Sequence, residues 1–157
     1  MLNVALIGLG WWGQTHIRAH ANSEKVRIDT VVDLDSDLAE KTAAEIDART
    51  APSFEAVLAD DAIDAVILVT PHSMHTDQIV AGAAAGKHIF SEKPFALSKS
   101  EAERSVAAAE TAGILLGLGH NQRYGAPQTA IKSMIDAGEL GEIMHMEGNT
   151  SHDTLSG

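Results

Sequence analysis

The chain has 157 residues, 45% of them hydrophobic and 21% charged, which excludes disorder and predicts one packed domain with at most a short appendage. Its net charge of −11 argues against partners such as nucleic acid or an anionic membrane surface, because both would be repelled. Cysteine is absent, so disulfides, thiolate chemistry and cysteine-zinc sites are excluded, and no apolar run is long enough for a membrane span.

The N-terminal "MLNVALIGLG" lacks the basic segment of a secretory leader and soon reaches glycine. It reads as a first buried strand, with a cytoplasmic location as the default. A helix through "GQTHIRAHA" follows, closed by Asn22-Ser23. "VRIDTVVD" is a second strand ending at Asp33. "SDLAEKTAAEIDA" is a helix with Ser36 as its expected N-cap, and "APSFEAVLAD" is a short helix capped by Ser53. "DAVILVT" is a central buried strand and "SMHTDQIVAGAAAG" a helix stopped at Gly86. "KHIFSE" is a strand, and "SKSEAERSVAAAETAG" is a helix with a Ser98/Glu101 capping box and a Gly113 stop. "ILLGLGH" is another strand and "APQTAIKSMIDAG" another helix, with Pro127 near its first turn. A boundary falls at Gly138 to Gly141, and "EIMHMEGNT" reads as a last strand.

Strands separated by helices of this length pair in parallel through right-handed crossovers. The expected fold is a doubly wound parallel α/β sheet, a Rossmann fold. Residues 1–120 form the dinucleotide-binding domain, 121–141 a connecting helix segment, and 142–157 the start of a truncated second α+β domain.

The chemistry starts at "GLGWWG". Gly8 makes the tight turn out of the strand, Gly10 lets backbone approach a pyrophosphate, and Gly13 lets the helix pack on the strand. The helix head offers free N–H groups and the positive dipole end to the phosphates. Asp33 lies 20 residues after Gly13 at the end of the second strand, placed to accept hydrogen bonds from the adenosine ribose hydroxyls. A 2′-phosphate there would face Asp33, Asp35 and Asp37 with no arginine nearby, so NAD is preferred over NADP. The alternative is that the glycines are ordinary punctuation and Asp33 a solvated loop acid. Trp11 and Trp12 fill the variable sites of the turn. Trp12 contributes chiefly its backbone N–H to the diphosphate, with its ring along the cleft toward the nicotinamide half. Trp11 lies at the rim.

"TPHSMHTDQ" (70–78), "SEKPF" (91–95) and "GHNQRY" (119–124) fall at the C-terminal ends of strands, where open α/β sheets bind ligands. With "GLGWWG" and Asp33, these stretches make the whole chain resemble the glucose–fructose oxidoreductase / inositol dehydrogenase (Gfo/Idh/MocA) family. The resemblance implies that Thr70, Pro71 and His72 line the cofactor beside its ribose and diphosphate. It places His75 near the nicotinamide ribose and Glu92 on a ribose hydroxyl. It makes Lys93 the catalytic lysine that contacts substrate, with a cis peptide before Pro94, and it implies that Asn121, Gln122 and Arg123 close the far side of the pocket.

Lys93 can also be read directly. An amine held between a carboxylate and a proline at a strand end can bond a substrate oxygen, and burial would suit it to proton transfer. The alternative is a surface ion pair between Glu92 and Lys93. His16 and His20, and likewise His72 and His75, are helix-spaced but lack a third ligand, so no metal is expected. His16 packs near the glycine turn and His20 is solvated.

The resemblance implies an NAD(P)-dependent oxidoreductase of a sugar, cyclitol or related polyol, a homo-oligomer when complete. Its usual Asp and His, one helical turn apart in the second domain, do not carry over. His152 and Asp153 are adjacent. The chain is then the cofactor half, weakly active or inactive alone. The alternative is a free-standing dinucleotide-binding module without catalysis of its own.

Overall fold

The computed structural model describes residues 1–149. Strands and helices alternate from the N-terminus: β1 (Leu2–Ile7), α1 (Trp11–His20), β2 (Val26–Val32), α2 (Ser36–Ile46), β3 (Arg49–Thr50), α3 (Phe54–Leu58), β4 (Ala65–Leu68), α4 (His72–Ala84), β5 (His88–Ser91), α5 (Lys99–Ala112) and β6 (Leu116–Leu118). A 3-10 helix, Asn121–Tyr124, and α6 (Ala126–Asp136) follow. The chain divides into a first unit, Met1–His120, and a second that begins at Asn121 with these two helices.

All strand pairs are parallel, in the order β3-β2-β1-β4-β5-β6. The sheet is covered on both faces, which is why β1 and β4 read as continuous apolar runs. Side chains alternate between the faces. Ala5, Ile7, Val66 and Leu68 pack with Val57, Ile79 and Ile89. Val4, Leu6 and Ile67 pack with Val31, Ala39 and Ala43 on the other side. The chain order reverses between β1 and β4, so their C-terminal ends flank the crevice in which such sheets bind ligands. The doubly wound α/β expectation holds.

Several local expectations change. Helix α1 begins at Trp11 and ends at His20, before Asn22. The N-cap of α2 is Asp35, whose side chain accepts the Leu38 N–H, and Ser36 is the first helical residue. The cause is Asp33, whose Oδ1 accepts the Asp35 N–H at 3.0 Å and favours the extended geometry a cap needs. The Ser53 cap holds. Ser98 caps α5 through the Glu101 N–H, while Glu101 reaches back to the Leu97 N–H rather than to its cap residue.

The two-residue strand β3 was not expected. It is secured by a side chain: Arg49 bonds Asp29 at 2.5 Å and Asp60 at 2.9 Å. Lys87 is buried and donates to the carbonyls of Asp60 and Ile63, in the segment after α3, at 2.8 Å each.

The expected strand at "EIMHMEGNT" is not formed among the described residues, where 142–149 carry no regular structure. A strand is stabilised by a ladder partner, and none pairs with this segment among the described residues.

Candidate dinucleotide site

The three glycines of the turn are required for different reasons. Gly8 has φ +96°, and a Cβ there would lie 2.9 Å from the Val69 carbonyl oxygen. That is the tight turn out of β1, pressed against the end of β4. A Cβ on Gly13 would lie 2.3 Å from the Gly8 carbonyl oxygen, so α1 packs directly on the turn. Gly10 differs. Its φ is −62°, and a Cβ would meet nothing within 4 Å. Neither conformation nor packing within the protein requires glycine there. The head of α1 has no capping side chain and no acid in its first turn, so its N–H groups and dipole are open to an anion.

Asp33 ties this turn to the end of β2. Its Oδ2 accepts the Leu9 N–H at 2.7 Å and its Oδ1 the Asp35 N–H at 3.0 Å. Each carboxylate oxygen takes a further bond, so the fixed group still has capacity for ribose hydroxyls. Asp33 lines a cleft of about 640 Å³ together with Gly8, Gly10, Leu34, Thr70 and Pro71. Pro52, Phe54, Met74 and Ala81 add apolar wall, and Glu55 and Asp77 add acids. Among the described residues no Lys or Arg lines it. The Glu55 carboxyl is held below the usual carboxylate range by its own backbone N–H and the Ser53 hydroxyl, so it remains an anion. Sequence reasoning missed the apolar wall. The available signal was Leu34, a fully exposed leucine directly after Asp33.

Thr70 and Pro71 line the cleft, but the Thr70 hydroxyl is already donated to Gln78 at 2.5 Å. His72 is exposed and is the first residue of α4. His75 departs from expectation. It is 1% exposed, with Nδ1 2.9 Å from the Pro94 carbonyl and Nε2 2.9 Å from the Thr70 carbonyl. Both carbonyls accept. A neutral ring donates to one of them, and a doubly protonated ring to both. His75 therefore braces the loop after β4 against the loop after β5, and its nitrogens face carbonyls of the protein rather than a cofactor ribose.

Glu92 is 8% exposed. Its Oε1 meets His16 Nε2 at 3.1 Å and its Oε2 accepts the Lys93 N–H at 3.2 Å. The carboxylate sits over Gly119, where a Cβ would come within 2.9 Å of Oε1. The expected bond from Glu92 to a ribose thus competes with His16. The Lys93–Pro94 peptide is cis. The Lys93 side chain is exposed, so the burial expected around its amine is not found, and among the described residues it forms no ion pair with Glu92. Its Nζ instead lies 5.4 Å from the centre of the Trp12 ring. Trp12 is half-buried and meets Trp11 edge-on, with centroids 4.8 Å apart. Trp11 is 72% exposed.

His16 stacks on His20 and meets Phe90 edge-on. His20 is half-buried rather than solvated, and its Nδ1 bonds the His16 carbonyl at 2.8 Å. Among the described residues no cluster of three His, Asp or Glu is arranged to hold a metal ion. Asn121, Gln122 and Arg123 are exposed on the 3-10 helix of the second unit, with the Arg123 guanidinium 5.6 Å from the Tyr124 ring. His152 and Asp153 lie outside the described residues.

A parallel sheet that reverses its order beside a glycine turn, an uncapped helix head and a cleft walled by Asp33 defines a dinucleotide-binding α/β protein. Residues 2–120 match the family described as "Oxidoreductase family, NAD-binding Rossmann fold", Gfo/Idh/MocA. The chain belongs to that family. It is 33% identical over 150 residues to 4-carboxy-2-hydroxymuconate-6-semialdehyde dehydrogenase of Sphingobium sp., covering 95% of this chain and 47% of the relative. It is 36% identical over 149 residues to scyllo-inositol 2-dehydrogenase (NAD(+)) of Bacillus subtilis, covering 93% and 43%. The crystal structure of the WlbA dehydrogenase from Bordetella pertussis, in complex with NADH and UDP-GlcNAcA, superposes with a TM-score of 0.84 at 29% identity, covering 90% of this chain and 41% of that one. The chain spans less than half the length of these relatives. Among the described residues no helix is long and apolar enough to cross a membrane.

Proposed function

We propose that the chain is the cofactor-binding half of an NAD-dependent oxidoreductase that transfers hydride between a sugar, cyclitol or related polyol and the dinucleotide. The observation that carries this is Gly10, a glycine the fold itself does not require, beside an uncapped helix head and the anchored carboxylate of Asp33. The site fits the cofactor in parts: N–H groups of α1 for the diphosphate, Asp33 for the adenosine ribose, and the apolar wall of Leu34, Pro52 and Met74 for the base. The nicotinamide ring, when bound, supplies the hydride acceptor.

The protein's own contribution to the chemistry is Lys93. Its exposed amine can donate to, or take a proton from, a substrate hydroxyl. Glu92 and His75 hold its backbone on either side. Hydride transfer also needs a surface that fixes the alcohol over the ring. Lys93 supplies one contact of such a surface, so this chain by itself should turn over slowly or not at all. The complete enzyme is read as a homo-oligomer.

The acidic cleft, which no Lys or Arg lines among the described residues, supports NAD over NADP, because a 2′-phosphate would meet Asp33 and Glu55 unneutralised. Calorimetry with NAD and NADP tests both parts. Tighter NAD binding is expected. A preference for NADP would overturn the Asp33 assignment, and failure to bind either would overturn the cofactor reading.

A further inference from the structure

We propose that Trp12 is the positioning residue for Lys93, its indole face holding the ammonium at the head of α1. This rests on the reading of Lys93 as the reactive amine of the site. Lys93 Nζ lies 5.4 Å from the Trp12 ring centre, within reach of a cation–π contact. The neighbouring carboxylate of Glu92 meets His16 through Oε1 and the Lys93 backbone N–H through Oε2, and among the described residues it forms no ion pair with the Lys93 ammonium.

The lysine backbone is pinned on both sides, by Glu92 at its own N–H and by His75 at the following carbonyl of Pro94. Freedom therefore remains in the four-carbon stem, and the ring restricts that stem. Trp12 is itself well placed for this. It is half-buried in the first turn of a regular helix, with Trp11 edge-on against it.

A ring contact at an exposed site is weaker than the rotamer entropy of a lysine stem. Trp12 thus biases Lys93 without locking it, and the ammonium is free to leave the ring for a substrate oxygen. This role is distinct from the backbone N–H that Trp12 presents to a diphosphate.

The test is solution NMR on the cofactor-free 157-residue chain, with folding of each variant checked by circular dichroism. The Lys93 ε-methylene protons, assigned by their loss in Lys93→Met, should be shifted upfield by the indole ring current. Trp12→Leu should remove the shift, and Trp12→Phe should restore part of it. A native ε-methylene at the free-lysine position, or one unmoved by Trp12→Leu in a folded variant, would overturn the proposal. NADH titration of the native chain is read separately: it decides the cofactor assignment, and the methylene shift decides the positioning.

Discussion

The Asp33 carboxylate accepts the Leu9 N–H at 2.7 Å, so the acid that faces the cofactor cleft also fastens the glycine turn to the end of β2. On the proposed reading, binding and folding share one side chain. Asp33→Ala should lose both, lowering stability by about 1–3 kcal/mol for the charge-assisted bond and weakening NAD. Asp33→Asn keeps an acceptor for Leu9 while removing the charge. Its amide nitrogen cannot accept the Asp35 N–H that Oδ1 takes in the native chain, so it should lose less stability than Asp33→Ala while narrowing the gap between NAD and NADP. Urea melts and calorimetry on the two variants separate the roles, and equal destabilisation by both would refute the division.

The glycines predict opposite phenotypes. Gly13→Ala forces a methyl to 2.3 Å from a backbone oxygen and should destabilise the domain by roughly 1–3 kcal/mol or more. Gly10→Ala enters open space and should melt at the native temperature, yet bind NAD more weakly. Thermal unfolding with and without NAD reads both outcomes.

His75 joins two loops from inside. His75→Ala removes the ring that lies between the carbonyls of Thr70 and Pro94, at about 1–3 kcal/mol for the loss of the bond the neutral ring donates. Hydrogen exchange should rise in both loops together. A rise confined to one of them would show that the brace is single-ended.

Arg49 and Asp60 set a pH dependence. The Asp60 carboxyl is held below its usual range, first by the Ala62 backbone N–H and then by the Arg49 side chain, and Arg49 is raised by Asp29 and then by Asp60. A carboxyl with a lowered folded pKa contributes stability that is complete above its unfolded pKa and lost as pH falls through the folded value. Arg49→Met should therefore be less stable than the native chain at neutral pH, with the gap closing in strong acid. The gap should be small and reduced by salt, because the pair is exposed. Urea unfolding across acidic pH checks the sign.

What the sequence made legible was whatever depends on local pattern. Continuous apolar runs marked β1 and β4 because both faces of the sheet are covered, and "GLGWWG" with Asp33 located the crevice. What stayed hidden depends on distant partners. β3 pairs with the distant β2, and Arg49 meets Asp29 and Asp60 there. The cap of α2 shifts to Asp35 because Asp33 reaches it. "HSMH" looks like polar surface, yet its second histidine is buried, because two carbonyls from separate loops converge on the ring. The alternation in "EIMHMEGNT" is a strand pattern without a pairing partner among the described residues.

Gly10 carries a consequence for how relatives diverge. Gly8 and Gly13 are held by the turn itself, so any descendant that keeps this fold must keep them small, whatever it binds. On the proposed reading Gly10 is held by its guest alone, because nothing in the fold crowds it. A lineage that gave up the dinucleotide would then be free to drift at that position first.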